Sequence, residues 1–96
     1  MQIAIGVDGG SCLGTIYWNG KATVMMVDVV EVAEDRRHTG VGMVLMDEVF
    51  AVAERNGVDS VELLVNADNE AAKGLYRKVG FEHTTKEHHR LLLRRF

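Results

Sequence analysis

The chain has 96 residues, 47% of them hydrophobic and 26% charged, a mix that excludes disorder and bounds the fold to one small domain, residues 1–96. A formal net charge of -3 and a pI near 5.7 exclude a nucleic-acid binder working through a general phosphate-attracting surface. Cys12 is the one cysteine, which rules out an intramolecular disulfide and fits a reducing cytoplasm.

The opening "MQIAIGVDGG" lacks the basic region and long apolar core of a signal peptide. No apolar run approaches the roughly 20 residues that span a bilayer. The expectation is a soluble, cytoplasmic protein with no membrane partner. "QIAIGV" predicts a first strand, and Asp8-Gly9-Gly10 a turn. "CLGTIYW" follows as a second strand, in which Cys12 reads as a buried, inert thiol. Asn19-Gly20 then predicts a two-residue type I′ hairpin, whose central positions both need positive φ. "ATVMMVDVVEV", Ala22 to Val32, is a third strand, so the chain opens as an antiparallel meander.

The period then changes. Val41, Val44, Leu45, Val49, Val52 and Ala53 form a helical stripe. Asn56-Gly57 supplies a left-handed stop. "SVELLV", Ser60 to Val65, is a fourth strand. "NADNEAAKGLYRKVGF" predicts a second helix with Asp68 or Asn69 as its cap and Gly80 at its end. Ala71, Ala72, Leu75, Tyr76 and Val79 make up its buried stripe. The tail from Glu82 predicts two short strands around a polar turn. The order β-β-β-α-β-α-β-β defines an α/β domain with a mostly antiparallel sheet.

The chemistry concentrates where the first helix begins. The first amides of a helix have no intrahelical partner and carry the positive end of its dipole. Gly40 and Gly42 let an anion approach them, and Arg36, Arg37 and His38 add positive charge. The stretch reads as a pyrophosphate cradle, although a purely structural glycine turn fits the same residues. It is no Walker loop, because no Gly-Lys-Ser/Thr follows, and no dinucleotide fingerprint, because the third glycine is missing.

Arg37-His38-Thr39-Gly40-Val41-Gly42 resembles the R/Q-x-x-G-x-G/A loop of the GNAT superfamily, the GCN5-related N-acetyltransferases. Asn69, Ala72, Leu75, Tyr76, Gly80 and Phe81 fit that family's N-x-x-A-x-x-L-Y-x-x-x-G-F pattern. The resemblance runs from the first strand to the end and implies acetyl-CoA as co-substrate, with no metal. It implies Val30 and Val32 as main-chain partners of the pantetheine amides, and Arg37 with the amides of His38, Thr39, Gly40, Val41 and Gly42 around the pyrophosphate. It places Asn69 near the thioester and makes Tyr76 the acid that protonates the departing thiolate. From its residues alone, Tyr76 on an apolar stripe reads as core.

The resemblance further implies a truncated GNAT-like fold, starting at what would be the family's second strand, and an N-acetyltransferase acting on a small-molecule or peptide amine. A non-catalytic acyl-CoA-binding or assembly module is the alternative. The amine must lose a proton, and Asp28, Glu31 and less directly Glu34 are the candidate bases. Strand alternation puts Asp28 and Glu31 on opposite faces unless a bulge intervenes. Lys73 and Arg77 suit either the 3′-phosphate of CoA or a solvated helix face. His83, His88 and His89 make no metal site, since adjacent strand residues point opposite ways. Ile3, Ile5, Val7, Leu13, Ile16 and Trp18 are expected to leave apolar surface bare, so a homodimer with Trp18 at or near its interface is the simplest remedy.

Overall fold

A computed structural model describes residues 1–37, 39–66, 68–83 and 88–92. Its elements are β1 (Gln2–Val7), β2 (Gly10–Trp18), β3 (Thr23–Val32), α1 (Val41–Arg55), β4 (Ser60–Leu64), α2 (Glu70–Lys78), β5 (Glu82–His83) and β6 (His88–Leu92). One sheet holds all six strands in the order β1-β2-β3-β4-β6-β5. β3 and β4 run parallel, as the intervening helix α1 requires, and every other pair is antiparallel. The tail's polar turn falls on residues 84–87, outside the described ones.

The β2–β3 connection differs from the two-residue turn expected of Asn19-Gly20. Trp18 pairs with Thr23, which leaves a four-residue loop. The Asn19 carboxamide explains it: Oδ1 accepts the N–H groups of Lys21 and Ala22, each at 2.9 Å. The loop is thus closed by a side chain. Gly57 and Gly80 do take positive φ, 66° and 108°, where α1 and α2 end.

Both helices cover the same face of the sheet. One buried cluster joins Ile5, Cys12, Ile16, Met25, Val27, Val61 and Leu63 from the strands to Leu45, Met46 and Val49 of α1 and Tyr76 of α2. This corrects the expected bare surface. Ile5 and Ile16 are buried, and Ile3 and Val7 pack against the same cluster, because α1 lies across β1 and β2. Of the six residues, Leu13 and Trp18 are exposed. Leu13 shares the helix-free face with Tyr17 and Leu64, which are also exposed. Among the described residues, no helix is long and apolar enough to cross a membrane.

Candidate active site

The site begins where two parallel strands part. β3 and β4 pair only from Val24↔Ser60 to Val27↔Leu63, yet β3 continues to Val32. The next residue after the last pair is Asp28, and it is the extra residue of a β-bulge: Leu13 pairs with Val29 and Gly14 with Val27, skipping it. A bulge bends its strand and increases the local twist. This one sits at the point where β3 leaves β4.

The bulge also resets the alternation. Gly14↔Val27 and Cys12↔Val30 lie on the helix-covered face, whereas Leu13 and the pair Ser11↔Glu31 lie on the open one. Asp28 belongs with the latter, since its Oδ2 accepts a hydrogen bond from Thr15 Oγ1 at 3.2 Å. Asp28 and Glu31 therefore share a face, as the proviso about a bulge allowed.

The gap holds a cavity of about 150 Å³. Val27, Asp28 and Val30 line it from β3, Leu63 and Leu64 from β4, and Val65 and Asn66 from the turn beyond. Asn69, Ala72 and Tyr76 close it from the α2 side. Glu31 and Val32 are not among the lining residues, and Glu34 sits beyond β3 in a single 3₁₀ turn.

Asn69, and not Asp68, caps α2: its Oδ1 accepts the Ala72 N–H at 3.2 Å. This fixes the carboxamide at the cavity wall. Two turns along, Tyr76 is only 5% exposed, its ring set edge-on to Phe81 at 5.7 Å, with Phe50 of α1 behind Phe81 at 6.0 Å. Burial, and secondarily the nearby Cys12, push the phenol above its ordinary value of 10.0. It therefore keeps its proton throughout the neutral range. Burial likewise raises the Cys12 thiol, in keeping with an inert core cysteine.

The α1 mouth differs in detail from the expected cradle. Gly40 is the N-cap with φ 90°, no side chain caps the helix, and a Cβ at Gly40 would meet nothing within 4 Å. Thr39 Oγ1 donates to the Arg36 carbonyl, tightening the loop. Gly42 also meets the second helix. A Cβ there would lie 2.9 Å from Leu75 Cδ2, so the glycine lets α2 pack close at this point. The Val41 side chain is buried against Gly10 of β2, which leaves only its amide for a ligand.

Arg36 pairs with Asp8 at 3.2 Å on the β1–β2 turn, so its charge is already partnered, while Arg37 is exposed. His38 lies outside the described residues. Lys73 pairs with Glu70 at 3.3 Å, and Arg77 Nε donates to the Lys73 carbonyl at 3.4 Å. The side chains of His83, His88 and His89 lie outside the described set. Among the described residues, no cluster of His, Cys, Asp or Glu could hold a metal ion.

Residues 3–81 match the Acetyltransferase (GNAT) family. The chain belongs to that family. It is 45% identical over 56 residues to GCN5-related N-acetyltransferase 7, chloroplastic, of Arabidopsis thaliana, covering 58% of this chain and 20% of that one. Ard1 from Thermoplasma volcanium superposes with a TM-score of 0.77 at 26% identity, over 90% of this chain and 64% of that one. The NatC complex bound to Gag peptide and CoA superposes with a TM-score of 0.79 at 18% identity, over 90% and 62%, a likeness of fold. The chain thus spans a fifth of the curated relative and just under two thirds of these structures.

Within this GNAT domain, the structure brings Asp28, Val30, Asn69 and Tyr76 to one cavity and leaves Glu31 outside it. Sequence reasoning missed Asn66 and Thr15. Asn66 carried a weak signal, a polar residue directly after a strand, and its carbonyl accepts the Asn69 N–H at 2.9 Å. Thr15 carried none, because only the strand register brings it beside Asp28.

Proposed function

We propose that this GNAT domain binds acetyl-CoA and transfers the acetyl group to a primary amine of a small molecule or peptide. The observation behind the reading is the single cavity that collects a carboxylate, a capping carboxamide and a buried phenol at the parting of β3 and β4. CoA in the similar NatC structure supports the choice of co-substrate. The pyrophosphate sits on the open amides of α1's first turn, from Thr39 to Gly42, with Arg37 beside it. The pantetheine arm runs along the main chain at Val30 and Val32 and brings the thioester to Asn69.

Asp28 then takes a proton from the ammonium form of the acceptor and passes it to solvent. The neutral nitrogen attacks the thioester carbonyl, forming the C–N bond. As the tetrahedral intermediate collapses, the C–S bond breaks and the thiolate takes the Tyr76 proton. The proton shed by nitrogen restores the phenol. Asp28 is preferred to Glu31 because it lines the cavity. A second copy on the open sheet face, over Leu13, Tyr17 and Leu64, completes the reading as a homodimer.

Thiol release from acetyl-CoA tests the reading, with a peptide bearing a free N-terminus, lysine, a polyamine and an aminoglycoside as acceptors. Amine-dependent release is expected with at least one. CoA binding without release from any of them would leave the acyl-CoA-binding module as the better description.

A further inference from the structure

We propose that Thr15 is a positioning residue for acetyl transfer, holding the Asp28 carboxylate in place across the β2–β3 bulge. The inference rests on the reading of Asp28 as the base. Asp28 is the one residue of β3 that the ladder with β2 skips, so no cross-strand neighbour faces it. A bulged residue of this kind is exposed and would otherwise turn about its own side-chain bonds. Thr15 removes that freedom. It stands opposite Met26 on the same face, two residues before Asp28 along β3, and reaches diagonally to Oδ2 at 3.2 Å.

The chemistry of the two groups suits the role. A threonine in a strand is stiff at χ1, because two heavy atoms branch from Cβ, so its hydroxyl is presented in a set direction. Its O–H donates to one carboxylate oxygen, and Oδ1 carries no hydrogen bond among the described residues. One oxygen is anchored and the other remains to take the proton. Such a hydrogen bond on an exposed face adds little to stability, whereas a misplaced base costs rate directly.

Nuclear magnetic resonance couplings and turnover together test the proposal. Three-bond couplings should show one Asp28 χ1 rotamer in the wild type and in Thr15→Ser, and rotamer averaging in Thr15→Val. Averaging in the wild type would overturn the proposal without any acceptor being needed. With saturating acetyl-CoA and the acceptor that turns over best in the thiol-release panel, Thr15→Val should lower kcat roughly tenfold and leave CoA affinity unchanged. Thr15→Ser should keep kcat. Added to Asp28→Asn, Thr15→Val should cost nothing more, since both act through one carboxylate. A large drop in Asp28→Asn with none in Thr15→Val would overturn the positioning role alone. Full kcat in Asp28→Asn would overturn the base reading and this proposal with it.

Discussion

Gly42 of α1 and Leu75 of α2 are packed so closely that a Cβ on the glycine would stand 2.9 Å from Leu75 Cδ2. The contact joins the helix that begins at the glycine loop to the helix that carries Tyr76. Gly42→Val should therefore destabilise the domain by about 1–3 kcal/mol through overpacking. Leu75→Ala in the same chain should recover part of that loss. Urea unfolding of the four proteins in the cycle checks it, and additive costs would dissociate the two positions.

Tyr76→Phe removes one oxygen and keeps the ring against Phe81. If the phenol protonates the thiolate, kcat should fall on the order of tenfold or more while CoA affinity, read by calorimetry, holds. Full kcat in the variant would return the residue to a purely packing role.

Stability should decline on the alkaline side. Burial raises the Cys12 thiol above 9.0 and the Tyr76 phenol above 10.0 in the folded chain, so the folded state holds these protons more tightly than the unfolded one. The contribution is fully present below about pH 9 and is lost as pH rises through the raised values. Unfolding curves at successive pH values should slope downward there, and the slope should be shallower in Tyr76→Phe.

The two arginines before the glycine loop should separate. Arg36 is committed to Asp8 in an exposed pair, so Arg36→Ala should cost less than about 1 kcal/mol and leave CoA affinity intact. Arg37→Ala should weaken CoA binding, increasingly so as salt is lowered. Equal effects of the two changes on affinity would contradict this division.

Light scattering addresses assembly. Leu13, Tyr17 and Leu64 are exposed on the helix-free face, and a dimer formed there should dissociate in Leu13→Glu. A folded wild-type monomer at micromolar concentration would remove the homodimer from the picture.

Much of the fold was legible because each element carried a local period. Val41 to Ala53 repeat at helical spacing and fold as α1, and Gln2 to Val7 form the first strand as written. The hairpin was misread because Asn19 has two uses: it tolerates a left-handed backbone, and it can accept amides with its side chain. Here the second prevails. The candidate site was legible where one motif carries it, at Asn69 and Tyr76, which line the cavity. The packing of Leu75 against Gly42 was not legible, because a sequence shows that a glycine is present but not which atoms approach it. That Asp28 and Glu31 share a face depended on a bulge, and a bulge is a property of two strands in register.

The early parting of β3 from β4 has one more consequence. From Asp28 to Val32, the main-chain groups of β3 that point towards β4 have no ladder partner on that strand. This is an edge placed inside a sheet, and what it offers is a spacing of main-chain donors and acceptors, not a set of side chains. Nearly every amino acid could stand at these positions without changing what the edge offers, since all but proline carry both groups. The chain contains no proline. The backbone groups of this stretch could therefore be shared by two proteins whose side chains there differ, even though Asp28 and Val30 carry roles of their own.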